Sequence, residues 1–137
     1  MRISQRLDHA LRALTELALA PEGEPVPARA IADALGLPRR FLEQQMTELA
    51  RAGLVSCRRG TGGGCALARP ADDITLSEVV RAVEGTIIDV PATSGSAASE
   101  AWSALARAMG DHLSKTTLAE VAARQRELRP RAPMYYI

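Results

Sequence analysis

Between Pro38 and Arg69 the chain reads PRRFLEQQMTELARAGLVSCRRGTGGGCALAR, and few folds accept that order. Its first part repeats apolar residues at helical spacing, Leu42, Met46 and Leu49, and stops at Gly53. Two short apolar runs follow, LVSC and CALA, separated by Arg58, Arg59 and the tip GTGGG. Strand-like runs on either side of a glycine cluster predict a β-hairpin, because glycine turns the backbone through conformations that other residues resist. A phosphate-cradling loop is the competing reading of the glycines. It fails because no Lys-Ser or Lys-Thr pair follows and because CALARP offers no helix N-terminus to a phosphate.

Upstream, Pro27 suits the first position of a short helix through Ile31 and Leu35, closed by Gly36 as a left-handed cap. The connection to the next helix is therefore only Gly36 and Leu37, the tight turn of a helix-turn-helix. On a 100° wheel Arg40, Glu43, Gln44, Thr47 and Arg51 share the face opposite Leu42, Met46 and Leu49. Most polar helix faces are simply solvated. A basic hairpin directly behind this one favours a winged helix, in which the third helix meets base edges and the wing reaches phosphates or the minor groove. The spacing predicts an earlier helix too, capped by Ser4, with Leu7, Leu11, Leu14 and Leu17 recurring until Pro21. PEGEPVP reads as loop. Thr75 and Glu78 form a T-x-x-E capping box that opens a helix ending at Gly85.

With one Phe, one Trp and two Tyr in 137 residues, the core must be Leu, Val, Ile and Ala, which suits packed helices. The net charge of +1 announces neither nucleic acid nor membrane. Its distribution is more informative: up to Arg69 there are ten Arg against seven acids, and beyond it the acids outnumber the bases. No apolar run is long enough for a signal peptide or a membrane span, and two cysteines make no disulfide framework, so a cytoplasmic protein is expected.

After a loop over residues 86–99 the pattern predicts one helix across residues 100–129, followed by a tail over 130–137. Trp102, Leu105, Ala106, Met109, Leu113 and Thr117 form its apolar stripe. A helix of that length would run roughly 45 Å, more than a small core covers, so a dimer interface through Trp102, Leu105, Met109 and Leu113 is expected. A bent intramolecular pair of helices is the alternative. A twofold dimer would set two reading heads on successive turns of one duplex.

The order of ISQRLDHALRAL, RRFLEQQMTELARAGLVSCRRGTGGGCALARP and DDITLSEVVRAVEG resembles the Rrf2 family of bacterial winged-helix transcription regulators. The resemblance covers residues 1–85 closely, through FLEQ, AGLV, the RGTGGG tip with ALARP, and TLSEVVRAVEG; beyond them only the layout matches. It implies a mainly α fold: a winged helix-turn-helix DNA-binding domain over 1–85 and a long C-terminal dimerisation helix. It implies a homodimeric, sequence-specific regulator, a repressor or an activator with the repressor preferred, on a palindromic double-stranded operator. The DNA-binding candidates are Arg39, Arg40, Glu43, Gln44 and Thr47 in the reading helix, with Arg58, Arg59, Gly62 and Gly63 in the wing.

Cluster-binding members carry three cysteines in the loop before the dimerisation helix, and residues 86–100 here contain none. No iron-sulfur cluster, metal or other cofactor is therefore expected. Asp8 and His9 read as surface residues with a salt-bridging role, the alternative being a remnant of a ligand region. The signal is then a small-molecule effector, a partner protein or a thiol. Cys57 and Cys65, with seven residues between them, face each other across the hairpin. Two small, partly buried apolar side chains are the leading expectation, and a disulfide that makes the wing redox-responsive is the alternative. An enzyme is not expected, since His9, His112 and two wing cysteines assemble no nucleophile, base and orienter. A protein-interaction module that lost DNA binding is disfavoured by Arg39, Arg40, Arg58 and Arg59.

Overall fold

The computed structural model describes residues 2–91 and 95–129; the expected tail and the centre of the 86–99 loop lie outside the described residues. Helix α1 (Gln5–Leu19) starts where the Ser4 hydroxyl accepts the Leu7 N–H at 3.0 Å, and its chain turns extended at Ala20, just before Pro21. Helix α2 (Ala28–Leu35) ends at Gly36, whose φ of 66° is left-handed, and α3 (Arg39–Arg51) begins after Pro38. Strands β1 (Val55–Arg58) and β2 (Gly64–Leu67) pair antiparallel. A 3-10 turn over Ala71–Asp73 leads to α4 (Leu76–Glu84), where Thr75 and Glu78 close both halves of the capping box.

Leu14, Ile31, Leu42, Leu49, Leu54, Ile74 and Val79 meet at the centre, each essentially inaccessible to water. Leucine and β-branched residues fill that space without aromatics, as the composition requires. Two ion pairs tie the periphery to it. Arg6 spans from α1 to Glu48 on α3 at 2.9 Å and donates to the Val83 carbonyl at 3.2 Å. Arg69, at the foot of the hairpin, meets Glu78 at 2.9 Å. That hydrogen bond lowers the Glu78 pKa; partial burial opposes it, and the Thr75 backbone N–H and the Arg69 charge assist it.

Two expectations are corrected. The single helix across 100–129 is two helices, α5 (Ala97–Lys115) and α6 (Leu118–Leu128). Thr116 and Thr117 are extended, and the Thr117 hydroxyl caps α6 by accepting the Glu120 N–H at 3.3 Å. The break is held by a short antiparallel contact with the entry to α4: Leu118 N–H donates to Ile74 O at 2.8 Å and Leu76 N–H to Thr116 O at 2.9 Å. Thr117 therefore leaves the apolar stripe. Helix α6 folds back onto α1 and the 3-10 turn, burying Leu118 and Ala122, so it belongs to the core that also carries α3.

The second correction concerns PEGEPVP, which is more than a loop. Val26 donates to and accepts from Cys65, both at 2.8 Å, adding a one-residue third strand to the hairpin.

Candidate nucleic-acid interface

Helix α3 turns Leu42, Gln45, Met46 and Leu49 into the core and leaves Arg39, Arg40, Phe41, Glu43, Gln44, Thr47 and Arg51 exposed. The expected reading residues are thus on one accessible surface, but they are not equivalent. Arg39 Nε lies 2.8 Å from Glu43 Oε1, an i,i+4 pair that occupies both. The Thr47 hydroxyl donates back to the Glu43 carbonyl at 2.9 Å. Arg40 and Gln44 have no hydrogen-bond or ionic partner among the described residues, so their donors are available to a ligand. Asp8 pairs with Arg12 at 3.0 Å, the salt-bridging role read for it from the sequence, whereas His9 forms no ion pair among the described residues.

The chain passes from α3 through Ala52–Leu54 into β1, so the wing follows α3 directly in the chain. Arg58 and Arg59 are exposed where β1 runs out into the tip. Gly60 and Gly62 have φ of 93° and 76°, and the Gly63 N–H closes the turn on the Gly60 carbonyl at 3.0 Å. A Cβ on Gly63 would sit 2.5 Å from the Arg58 carbonyl oxygen, so this glycine serves the inside of the turn. A Cβ on Gly64 would meet the Val26 carbonyl group at 2.5 Å, so the third strand needs glycine there.

Cys57 and Cys65 are joined by a disulfide, which overturns the expectation of two unbonded apolar side chains. The register explains the contact. Cys65 spends its own N–H and C=O on Val26, so opposite Cys57 it forms the non-hydrogen-bonded type of antiparallel pair, in which side chains come closest. Their Cα atoms are 4.1 Å apart. Cys57 is exposed and Cys65 is buried.

Helix α5 contrasts with the rest of the fold. Every other α-helix has at least two buried residues, and α5 has none. Of its stripe, Leu105, Met109 and Leu113 are half-buried and Trp102 is 52% exposed. A cavity of about 870 Å³ opens between the start of α1, the end of α4, residues 86–89 and α5, lined by Leu7, Val80, Ile87, Met109 and Leu113 among others.

A short-turn helix pair, an exposed polar face on α3 and a basic two-strand wing define a winged helix-turn-helix, a DNA-binding fold. The family model for Rrf2, described as an iron-dependent transcriptional regulator, matches residues 3–124, and the chain belongs to that family of transcription regulators. A Mycobacterium tuberculosis protein named as an HTH-type transcriptional regulator is 36% identical over 131 residues, 89% of this chain and 81% of the relative. The regulator IscR of Cereibacter sphaeroides is 42% identical over 89 residues, which is 64% of this chain and 57% of that protein. Among solved structures, CymR, the global cysteine regulator of B. subtilis, superposes with a TM-score of 0.81 at 32% identity, covering 90% of this chain and 98% of its own.

The iron in the family description finds few donors in this chain. The chain has two cysteines, both in the wing disulfide, and among the described residues no three His, Cys, Asp or Glu side chains gather as a metal site. The donor set does not fit a thiolate-held cluster in the loop before α5.

Proposed function

We propose that the protein is a homodimeric, operator-specific repressor that works without an iron-sulfur cluster, in the compartment that holds the DNA. The observation that carries this reading is that Arg40 and Gln44 are exposed on the outer face of α3 without partners among the described residues, and that Arg58 and Arg59 are exposed on the wing that follows the same helix. Gln44 supplies the amide that bonds adenine bidentately, and the arginines supply phosphate contacts or a guanine reader. Dimerisation through α5 would present two such heads to a palindrome. Repression needs only occupancy, since a bound dimer excludes other proteins from the same DNA. No catalytic role follows from this surface. No helix among the described residues is long and apolar enough to cross a membrane. A small-molecule effector would fit the cavity beneath α5.

Genomic fragments recovered with the purified protein test the reading. Affinity for an enriched site should fall steeply with salt, because each arginine-phosphate contact releases counterions. Arg58→Ala should weaken all sequences alike, whereas Gln44→Ala should relax preference at one base pair per half-site by about 1–3 kcal/mol. Transcription in vitro from a promoter overlapping the site should fall when protein is added. Failure to enrich any fragment over random DNA at low salt overturns the proposal.

The disulfide favours a second, compatible reading: a redox-responsive wing. A peroxide would take two electrons and two protons from the Cys57 and Cys65 thiols, forming the S–S bond and releasing water and an alcohol, or two waters from hydrogen peroxide. The bond ties β1 to β2 beside Arg58, so the oxidised wing is held ready for the backbone. Reduction should weaken operator binding several-fold, peroxide should restore it, and Cys57→Ser should be indifferent to both. Equal affinity of the reduced and oxidised proteins excludes the switch.

A further inference from the structure

The only phenylalanine of the chain, Phe41, is 68% exposed on the first turn of α3. Single apolar residues on a surface are ordinary. The neighbours of this one are not. Phe41 stands one turn before Gln44 and next to Arg40, two α3 side chains without partners among the described residues, and about 90° around the helix from the buried row of Leu42, Gln45, Met46 and Leu49. Arg39 and Glu43, the other polar residues at this end, are engaged with each other. The N-terminal turn of a recognition helix is the part that reaches base edges. This turn therefore offers a cation, an amide and an aromatic ring.

The major-groove edge of DNA presents donors and acceptors at every base pair and one apolar group, the C5 methyl of thymine. We propose that Phe41 is a specificity residue that reads a thymine methyl in each half-site, beside the base pair read by Gln44. The proposal rests on the DNA-binding reading of α3 and adds what that reading leaves open. An aromatic ring in the groove gives no base-edge hydrogen bond and no phosphate contact. Its selectivity comes from burying the methyl, and cytosine or uracil at the same place would present only a C5–H and forfeit that burial.

The test replaces thymines of a recovered operator, one per half-site at a time, with deoxyuridine, which keeps every hydrogen bond and removes only the methyl. One position should lose about 3- to 10-fold in affinity with the unmodified protein, in proportion to a buried methyl group. With Phe41→Ala that penalty should vanish while the salt dependence stays the same, and Phe41→Leu should keep part of it. 5-Methylcytosine at the same position should bind better than cytosine to the unmodified protein only. The proposal is overturned if no thymine shows a penalty, if the penalty survives in Phe41→Ala, or if Phe41→Ala melts several degrees lower, which would make the ring structural. Specific binding without methyl dependence sinks this proposal alone. Absence of any specific binding sinks the repressor reading with it.

Discussion

Trp102→Asp should yield a folded monomer that binds its operator at least 100-fold more weakly. The indole is half-exposed in the single chain and continues the stripe of Leu105, Met109 and Leu113 along α5, a helix of about 28 Å that buries nothing fully. If a second copy covers that stripe, the substitution buries an unpaired carboxylate in the contact, which is strongly unfavourable. Met109→Asp would do the same, but Met109 also lines the cavity against α1 and α4, so its loss could disturb the chain's own packing. Trp102 separates the two effects. Losing the partner converts binding of two linked half-sites into binding of one, and linkage contributes factors of 10² or more. Sedimentation equilibrium, thermal melting and operator titration on one preparation check the three parts. An unmodified protein that sediments as a monomer, or a variant that stays dimeric, removes α5 from the interface.

Legibility in the sequence followed the range of the interactions. Helices α1 and α4 were readable because Ser4, Thr75, Glu78 and Gly85 act within a few residues of themselves. The hairpin was readable because Gly60 and Gly62 require positive φ locally. The α5–α6 break has a local signal as well, Thr117-x-x-Glu120, the same spacing as Thr75 and Glu78. It was masked by an apolar stripe that ran through Thr117 without a change of period, so periodicity outweighed the cap. Val26 gave no signal, since one bridging residue between Pro25 and Pro27 has no alternation to detect. The bridge shows the phase of the ladder: Cys65 turns its N–H and C=O away from β1 to Val26, so Cys57 and Cys65 are a close pair, which the sequence spacing alone does not tell from the wider kind. Exposure of Phe41 is equally unreadable, because an apolar residue beside Leu42 looks like core until the helix is placed.

Leu118→Ala should cost about 2–5 kcal/mol of stability, the range for a leucine truncated in a closed core. Leu118 is fully buried, and its N–H is held by the Ile74 carbonyl where α6 begins. Partial collapse cannot refill the site easily, because Leu14, Ile31 and Ile74 are already buried in the same core. Leu128→Ala, at the 60% exposed end of α6, should change stability by less than about 0.5 kcal/mol. Chemical denaturation of both variants checks the contrast, and equal effects would mean that α6 is an appendage. The contrast bears on signalling. Helix α5 emerges from α4 through residues 85–96 and returns at Thr116 into a helix buried beside α1. Its C-terminal end is anchored in the core that carries α3, so a shift of α5 against a partner cannot be absorbed by a free end. Operator affinity in Leu118→Ala should therefore fall further than the unfolded fraction explains when measured well below the melting temperature. Affinity that tracks the folded fraction alone would show that the α5–α6 junction stabilises the reading head without setting its orientation.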